Sequence, residues 1–492
     1  MIAAHFPILT LLVFFFAALL MPLAGMIHRR LPWLVAVGAS VLATGIALYS
    51  VERVLSHGTV HYAVGGWRAP IGIELTADPL STFLTVVLGL IAVVVLVHSR
   101  EPVERELPGR SVTFYAAALL LLGGFTGIVA TGDLFNLYVF LEISALAGYA
   151  LLGVGNPRAA VATFRYLILG TLGASFYLIG LGFLFAQTGS LNMRDVAAIL
   201  EVTGLDRVTT LAIVFMVVGL GIKMALLPLH FWLPDVYTSA PASSTALIAP
   251  IGTKVAAYVI IRLLFDVFPG APLLAHVRVL DLLAVCGALG IVWGSVMAIP
   301  QNNLKRMLAY SSVAQIGYIV LGIGLGTANG FIGAILHILN HACMKACLFL
   351  VSANLEARGK GLRIDALNPS LRRELPVTSA CFVLAAISMI GLPPTAGFFS
   401  KWYLLLGSYE EGRWIFIAVI LLSSLLNAVY FFRIIERMYL GGKDEPVAVP
   451  STPGAAWLTV PTVALALGLL ALGLGNVFIV TRFIQPMLPA SF

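Results

Sequence analysis

Charge is what this sequence has least of. Asp, Glu, Lys and Arg make up 10% of its 492 residues, against 60% hydrophobic, where soluble domains carry about a quarter charged. Such a chain cannot cover a water-facing globule. Its length would serve several soluble domains, yet no soluble-sized stretch interrupts the apolar segments. Cysteine is nearly as scarce. Cys286, Cys343, Cys347 and Cys381 all lie in apolar segments, without a disulfide framework or zinc spacing, and read as buried structural thiols. No Walker motif, haem signature or iron–sulfur cysteine set is present, so no cofactor is expected.

Long apolar runs fill the space instead. A spanning helix needs about 20 apolar residues, and fourteen runs qualify: 6–27, 33–51, 78–98, 111–130, 133–154, 161–187, 207–228, 243–267, 276–299, 303–325, 329–354, 374–408, 412–440 and 456–481. They do not alternate as barrel strands do. The first is too long for a signal h-region and more spans follow it, so it is expected to be retained. The expected fold is an all-α polytopic membrane protein, one integral membrane domain over 1–492.

The formal charge of +7 raises the question of nucleic acid. With the N-terminus outside the cytoplasm, seventeen of the 29 basic residues fall in inside loops and eight in outside loops. The positive-inside rule favours that topology and explains the basic balance with no nucleic-acid partner. Localisation in the cell inner (plasma) membrane is expected, with both termini on the non-cytoplasmic side.

Four basic residues remain, Lys223, Lys254, Lys345 and Lys401, each inside a span, in a chain with only seven lysines. A charge at the bilayer centre costs about 3 kcal/mol on insertion scales. Lysine also differs from arginine in that its pKa moves readily on burial, so these read as groups that gain and lose protons. Snorkelling to water is the alternative, strongest for Lys254 and Lys401.

Buried cations need partners. Glu142 is the one acid deep in an apolar span, while Asp133, Asp235 and Asp281 sit nearer ends or breaks. Glu142 is therefore the expected counter-charge of Lys223. At an effective dielectric near 20, a pair about 4 Å apart gains roughly 4 kcal/mol before desolvation, and separating it would shift the lysine's proton affinity. A purely structural ion pair is the alternative.

Two spans are interrupted, one by Pro228 and Pro234 after Lys223, the other by Pro393 and Pro394 before Lys401. Proline removes a donor and clashes with the preceding turn. Freed backbone groups at membrane depth are tolerated only in protein or around water. The breaks fall at spans seven and twelve, five helices apart. Spans four to eight (111–267) and nine to thirteen (276–440) are thus expected as two inverted repeats, each with a broken helix. Ordinary kinks would explain the prolines but not the lysine at each.

His337, His341 and Lys345 recur every four residues, so one helical face carries all three. That face suits a proton relay, because histidine titrates near neutrality. A metal held by the two histidines lacks further ligands, and no metal is expected; core histidines with local hydrogen bonds are the other alternative. Gly322, Gly324 and Gly326 lack a preceding strand, so they read as a membrane-end loop rather than a dinucleotide site.

The segments beginning at Thr131 (TGDLFNLYVFLE), Lys223 (KMALLPLHFWLPD), His337 (HILNHACMKA) and Leu392 (LPPTAGFFSKWY) resemble the antiporter-like subunits of respiratory complex I. They resemble still more closely the D-type subunit of Mrp-type multisubunit Na⁺/H⁺ antiporters. The resemblance covers nearly the whole chain. It implies fourteen helices, inverted five-helix repeats and a hydrophilic axis in the membrane plane. It also implies roles: Glu142 and Lys223 as the first-half pair, Lys254 as the link, His337, His341 and Lys345 as the central relay, and Lys401 as the second-half site. Position 401 is glutamate in some complex I relatives. The chain ends soon after span fourteen, without the lateral helix or C-terminal extension of the larger relatives. The implied function is a proton-translocating subunit of a multisubunit monovalent cation (Na⁺)/H⁺ antiporter, working with sister membrane subunits. The alternatives are a proton-pumping subunit of complex I or a membrane-bound hydrogenase, and a stand-alone permease.

Overall fold

The computed structural model describes residues 5–268, 278–440, 456–489 and 492. Lys443 and the 276 boundary of the second repeat lie outside the described residues. Helices α1 (Phe6–Ile27), α2 (Leu31–His57) and α3 (Pro79–His98) lead through the short α4 (Arg100–Glu106) to α5 (Ser111–Ala130), α6 (Leu134–Gly153) and α7 (Pro157–Thr188). A surface helix α8 (Met193–Thr203) precedes α9 (Arg207–Met224), α10 (Trp232–Ser239) and α11 (Ala242–Arg262). Then come α12 (Val279–Ala298), α13 (Leu304–Leu325), α14 (Ala328–Ala357), the short α15 (Ser370–Glu374), α16 (Pro376–Ile390), α17 (Ala396–Glu410), α18 (Trp414–Tyr439) and α19 (Ala456–Leu474). Thirteen helices among the described residues are long and apolar enough to cross a membrane. The pair α16–α17 adds one more crossing, the twelfth in chain order, as two halves, which brings the described residues to fourteen.

Polar residues start these helices where the sequence changes from loop to apolar run. Asp78, Asp133, Asn156, Asn192, Asp206, Asn303 and Thr327 each accept a hydrogen bond from a backbone N–H of the first turn, which satisfies an orphan donor. Two starts are built alike. Asp133 caps α6 while the Leu134 N–H donates to the Leu191 carbonyl at 2.8 Å; Asn303 caps α13 while the Leu304 N–H donates to the Leu362 carbonyl at 2.9 Å. Five crossings separate the two, so they lie on opposite membrane faces, as an inverted repeat requires. Each half then breaks a helix at a left-handed residue, Ala225 (φ 59°) or Gly391 (φ 90°).

The core is not shared evenly. In α13 and α14, 94% of the apolar stretch is buried and in α11, 89%, against 33% in α18. Those three helices form the middle of the molecule and carry Lys254, His337, His341 and Lys345.

Three features differ from the sequence reading. Gly322 and Gly324 lie within α13 rather than in a loop. A Cβ on Gly322 would fall 2.6 Å from the Gly330 carbonyl oxygen, and one on Gly324 2.4 Å from the Ala284 nitrogen; these glycines let helices touch backbone to backbone. Only Gly326 (φ 65°) ends the helix. The loop between α2 and α3 holds a small antiparallel ribbon, β1 (Val60–Ala63) with β2 (Glu74–Ala77), Val60 facing Ala77. And Lys305, counted with the loop residues, is buried at 3% exposure.

Close packing predicts where the fold is brittle. A Cβ on Gly219 in α9 would lie 2.4 Å from the Gly173 carbonyl oxygen of α7, whereas one on lipid-facing Gly182 would meet nothing within 4 Å. We predict that Gly219→Val costs about 1–3 kcal/mol, seen as a drop of several degrees in the melting temperature in detergent. Gly182→Val should melt like wild type. Equal melting of the two variants would mean the α7–α9 contact is not tight.

Candidate functional site

The first break brings together the first pair. Lys223 is the penultimate residue of α9. Beyond it Ala225 turns the chain, and the Trp232 indole N–H donates back to the Ile222 carbonyl at 2.9 Å. Lys223 Nζ stands 3.7 Å from Glu142 Oε1 of α6; the lysine is 8% exposed and the glutamate 29%. That distance is an ion pair too long for a hydrogen bond. Tyr166 stacks on Trp232 with centroids 3.8 Å apart, and Tyr149 meets Tyr166 edge-on.

Behind Lys223 lies a cavity of about 40 Å³ bounded by Ser144, Tyr166, Trp232, Tyr237 and Thr253. That is room for roughly two or three waters. The Tyr237 hydroxyl and the Thr253 hydroxyl make no protein hydrogen bond, so both are free to bond water there. Gly252, Thr253, Val255 and Ala256 close the cavity's other side, so it runs from Lys223 to the wall of α11, the helix that carries Lys254.

The centre is held by dipoles instead of carboxylates. Lys254, 1% exposed, donates to the Ala249 carbonyl at 2.8 Å. Lys345 donates to the Leu308 carbonyl at 2.7 Å and to the Ser311 hydroxyl. His337 shares hydrogen bonds of 2.9 Å with Ser400 Oγ through Nδ1 and with Gln315 Oε1 through Nε2. His341 stacks on His337 with centroids 6.0 Å apart, and neither of its nitrogens bonds to protein. Both His337 nitrogens are thus engaged by protein, while those of His341 are not. The charge of Lys254 reaches His337, His341 and Lys345, which places all four in one electrostatic neighbourhood.

The second break accounts for Lys401. In a helix the Met389 and Ile390 carbonyls would accept from residues 393 and 394, and both are prolines without an N–H. Lys401 Nζ takes the two carbonyls, at 3.1 and 2.8 Å, and the Ser424 hydroxyl at 3.2 Å. It also lies 5.0 Å over the Tyr318 ring. Gly391 is required twice, by its φ of 90° and because a Cβ there would crowd the Lys401 stem at 3.0 Å. At 4% exposure Lys401 does not snorkel, and neither does Lys254.

The seven sequence-selected residues thus fall into two groups: Glu142 and Lys223 meet across α6 and α9, and Lys254, His337, His341, Lys345 and Lys401 gather where α11, α14 and α17 pack; taken in helix order they make a candidate row. Sequence reasoning missed Gln315, Ser311 and Ser400, which polar residues inside spans could have flagged. It also missed the aromatic wall of Tyr166, Trp232 and Tyr237, which no local pattern marks.

Residues 131–427 match the family model described as NADH:quinone oxidoreductase/Mrp antiporter, transmembrane. The chain is 46% identical to the N-type subunit of NADH-quinone oxidoreductase from Desulforudis audaxviator, covering 99% of both chains. It is 30% identical to the D-type subunit of the Na⁺/H⁺ antiporter from Bacillus subtilis, covering 89% of this chain and 87% of that one. Among solved structures, a chain of the archaeal membrane-bound sulfane sulfur reductase superposes with a TM-score of 0.89 at 29% identity, covering 97% and 96%. A chain of the Mrp complex from Dietzia superposes at 0.88 and 24% identity, covering 99% and 97%, which speaks to the fold alone.

The cavity yields its own test. Thr253→Val keeps the side-chain shape and removes the hydroxyl. We predict a several-fold loss of proton conduction in vesicles with the melting temperature of the folded protein within a few degrees of wild type. Unchanged conduction would mean the cavity does not carry protons between Lys223 and Lys254.

Proposed function

The chain belongs to the NADH:quinone oxidoreductase/Mrp antiporter transmembrane family, and on that premise we propose that it moves protons along the row from Glu142 to Lys401. The observation that carries this reading is that titratable side chains at membrane depth stand at both broken helices and in the buried middle of the fold between them. Glu142 sets the charge state of Lys223, Lys254 passes it inward, His337, His341 and Lys345 relay it, and Lys401 loads or releases at the second break. The two halves correspond to 111–267 and 276–440. The basic loops face the cytoplasm, both termini lie on the other side of the inner (plasma) membrane, and the exchanged cation is Na⁺.

We read the chain as one member of a multisubunit antiporter, after its D-type antiporter relatives. One observation favours a second assembly: 46% identity over nearly the whole chain to an N-type oxidoreductase subunit supports membership in a redox complex of the complex I kind. Purification of the native assembly separates the two, since flavin and iron–sulfur absorbance accompany only the second.

Glu142 is 29% exposed at membrane depth. A carboxylate there is costly against lipid, so a sister subunit is expected to cover it. The solitary purified chain should insert yet exchange no cation for protons; robust Na⁺-dependent flux from it would favour a stand-alone permease.

Two substitutions test the relay in the assembled complex. Glu142→Gln should abolish most flux at normal complex abundance, and full flux would remove the pair from the mechanism. Lys401→Arg should lose at least about tenfold, because arginine keeps its charge but does not deprotonate in this range. Wild-type flux from Lys401→Arg would make position 401 a fixed charge.

A further inference from the structure

Outside the row, a second cluster of ionisable groups joins three separate helices, α4, α13 and α14, at the face that carries the basic loops. Glu106 ends α4, and its Oε2 accepts from the Ser243 N–H at 3.3 Å and from the Ser243 hydroxyl at 3.2 Å, at the start of α11. Lys305, in the first turn of α13, stands 3.6 Å from Glu356 Oε1 near the end of α14. Its Nζ also donates to the Ala240 carbonyl at 2.8 Å, where α10 ends. The charges of Lys305 and Glu356 both act on Glu106. Two carboxylates thus share one buried ammonium.

The cluster has an outer and an inner side. Glu356 keeps 33% of its side chain exposed, while Lys305 is 3% exposed. Three residues further along α13, a rise of about 4.5 Å, is Leu308, whose carbonyl accepts from Lys345. Ser312, on the same face, donates to that carbonyl as well. The Lys305 backbone is therefore about one helical turn from the carbonyl that holds the central relay lysine, and Glu356 is the exposed member of the cluster.

We propose that Glu106 and Glu356, held by Lys305, form the loading site through which protons enter the central relay from the basic-loop face. The assignment rests on the proton-relay reading above. A proton from water adds to a carboxylate of the cluster. It then passes inward to the neutral amine of Lys345, which becomes the ammonium as the carboxylate is regenerated.

The surroundings suit that task. Burial and the Glu356 charge push the Glu106 carboxyl up to about 6, against the pull of Ser243 and Lys305. The other groups near α4 face elsewhere. Arg105, on α4 itself, pairs with Glu101 and bonds the Ala357 carbonyl, and Glu104 is exposed. On α3, His98 bonds Asn354, and on α5, Tyr115 bonds Ser99. Helix α19 brings no ionisable side chain.

The test is proton flux through the assembled complex in sealed, oriented vesicles, with pH varied on the basic-loop face alone. Glu106→Gln should lower flux about tenfold and flatten its dependence on that pH. Ser243→Ala removes hydrogen bonding that favours the charged carboxylate, so the midpoint of the pH–flux curve should move alkaline. Glu356→Gln removes a repelling charge, so the midpoint should move acid. The opposed shifts are the signature, and Ser243→Ala still answers if Glu106→Gln does not assemble. Wild-type curves from all three variants, with Lys345→Met inactive, would overturn the loading site and leave the relay standing. Reduced flux with an unmoved midpoint would assign the cluster a structural role and also overturn it. Wild-type flux from Lys345→Met would overturn the relay reading itself.

Discussion

An ammonium group in the middle of a bilayer costs about 3 kcal/mol on insertion scales, and this chain buries four lysines there. Most of its departures from regular helix follow from the need to solvate those groups without water. The second break shows the device in its simplest form. Two consecutive prolines remove the N–H groups that would occupy the Met389 and Ile390 carbonyls, and the Lys401 ammonium takes both. Proline pair, left-handed glycine and lysine are parts of one arrangement. A backbone break at membrane depth leaves polar groups unpaired, and a buried lysine leaves donors unpaired; each supplies what the other lacks.

The first break solves the same problem differently. Its Ile222 carbonyl accepts from both the Ala225 N–H at 3.2 Å and the Trp232 indole, and Lys223 is left with a carboxylate 3.7 Å away. One lysine is thus held by a charge and the other by dipoles. The difference bears on mechanism. A dipole cannot be neutralised, so the affinity of Lys401 for its proton varies with the geometry of the break and with charges around it. A carboxylate can be protonated or drawn away, so Lys223 responds to events at Glu142. A row with a switchable charge at one end and a fixed cradle at the other has a built-in asymmetry, although its two halves share cap and break geometry.

Much of this was legible in the sequence because membrane insertion penalises exceptions so heavily. In a chain with 10% charge, a lysine inside an apolar run stands out, and so does a proline pair. The spans, the breaks and the burial of Lys223, Lys254, Lys345 and Lys401 could be read from that contrast alone. Glycine spacing was less informative. Gly322 and Gly324 serve close helix contact rather than a turn, and sequence does not distinguish the two uses. Charges near helix ends were the least legible. Lys305, Glu106 and Glu356 resemble loop residues, yet the fold turns them inward; Arg262 likewise sits between Asp78 and Asp266 with its side chain 13% exposed. What decides burial there is the packing of elements far apart in the chain, which no local pattern encodes.

The row ends in the open. Lys254, His337, His341 and Lys345 are enclosed by α11, α13 and α14, but Glu142 lies on an outer helix and keeps 29% of its side chain uncovered. Lipid is a poor cover for a carboxylate, whereas the polar side chain of another protein is a good one. The same exposure gives a neighbour access to the one charge that holds Lys223. A charge brought near Glu142 from outside changes the pair, and Lys223 lines the cavity that reaches α11, the helix of Lys254. On the relay reading proposed above, coupling between subunits needs no large motion: it needs a change of charge at an exposed carboxylate and groups close enough to respond in turn.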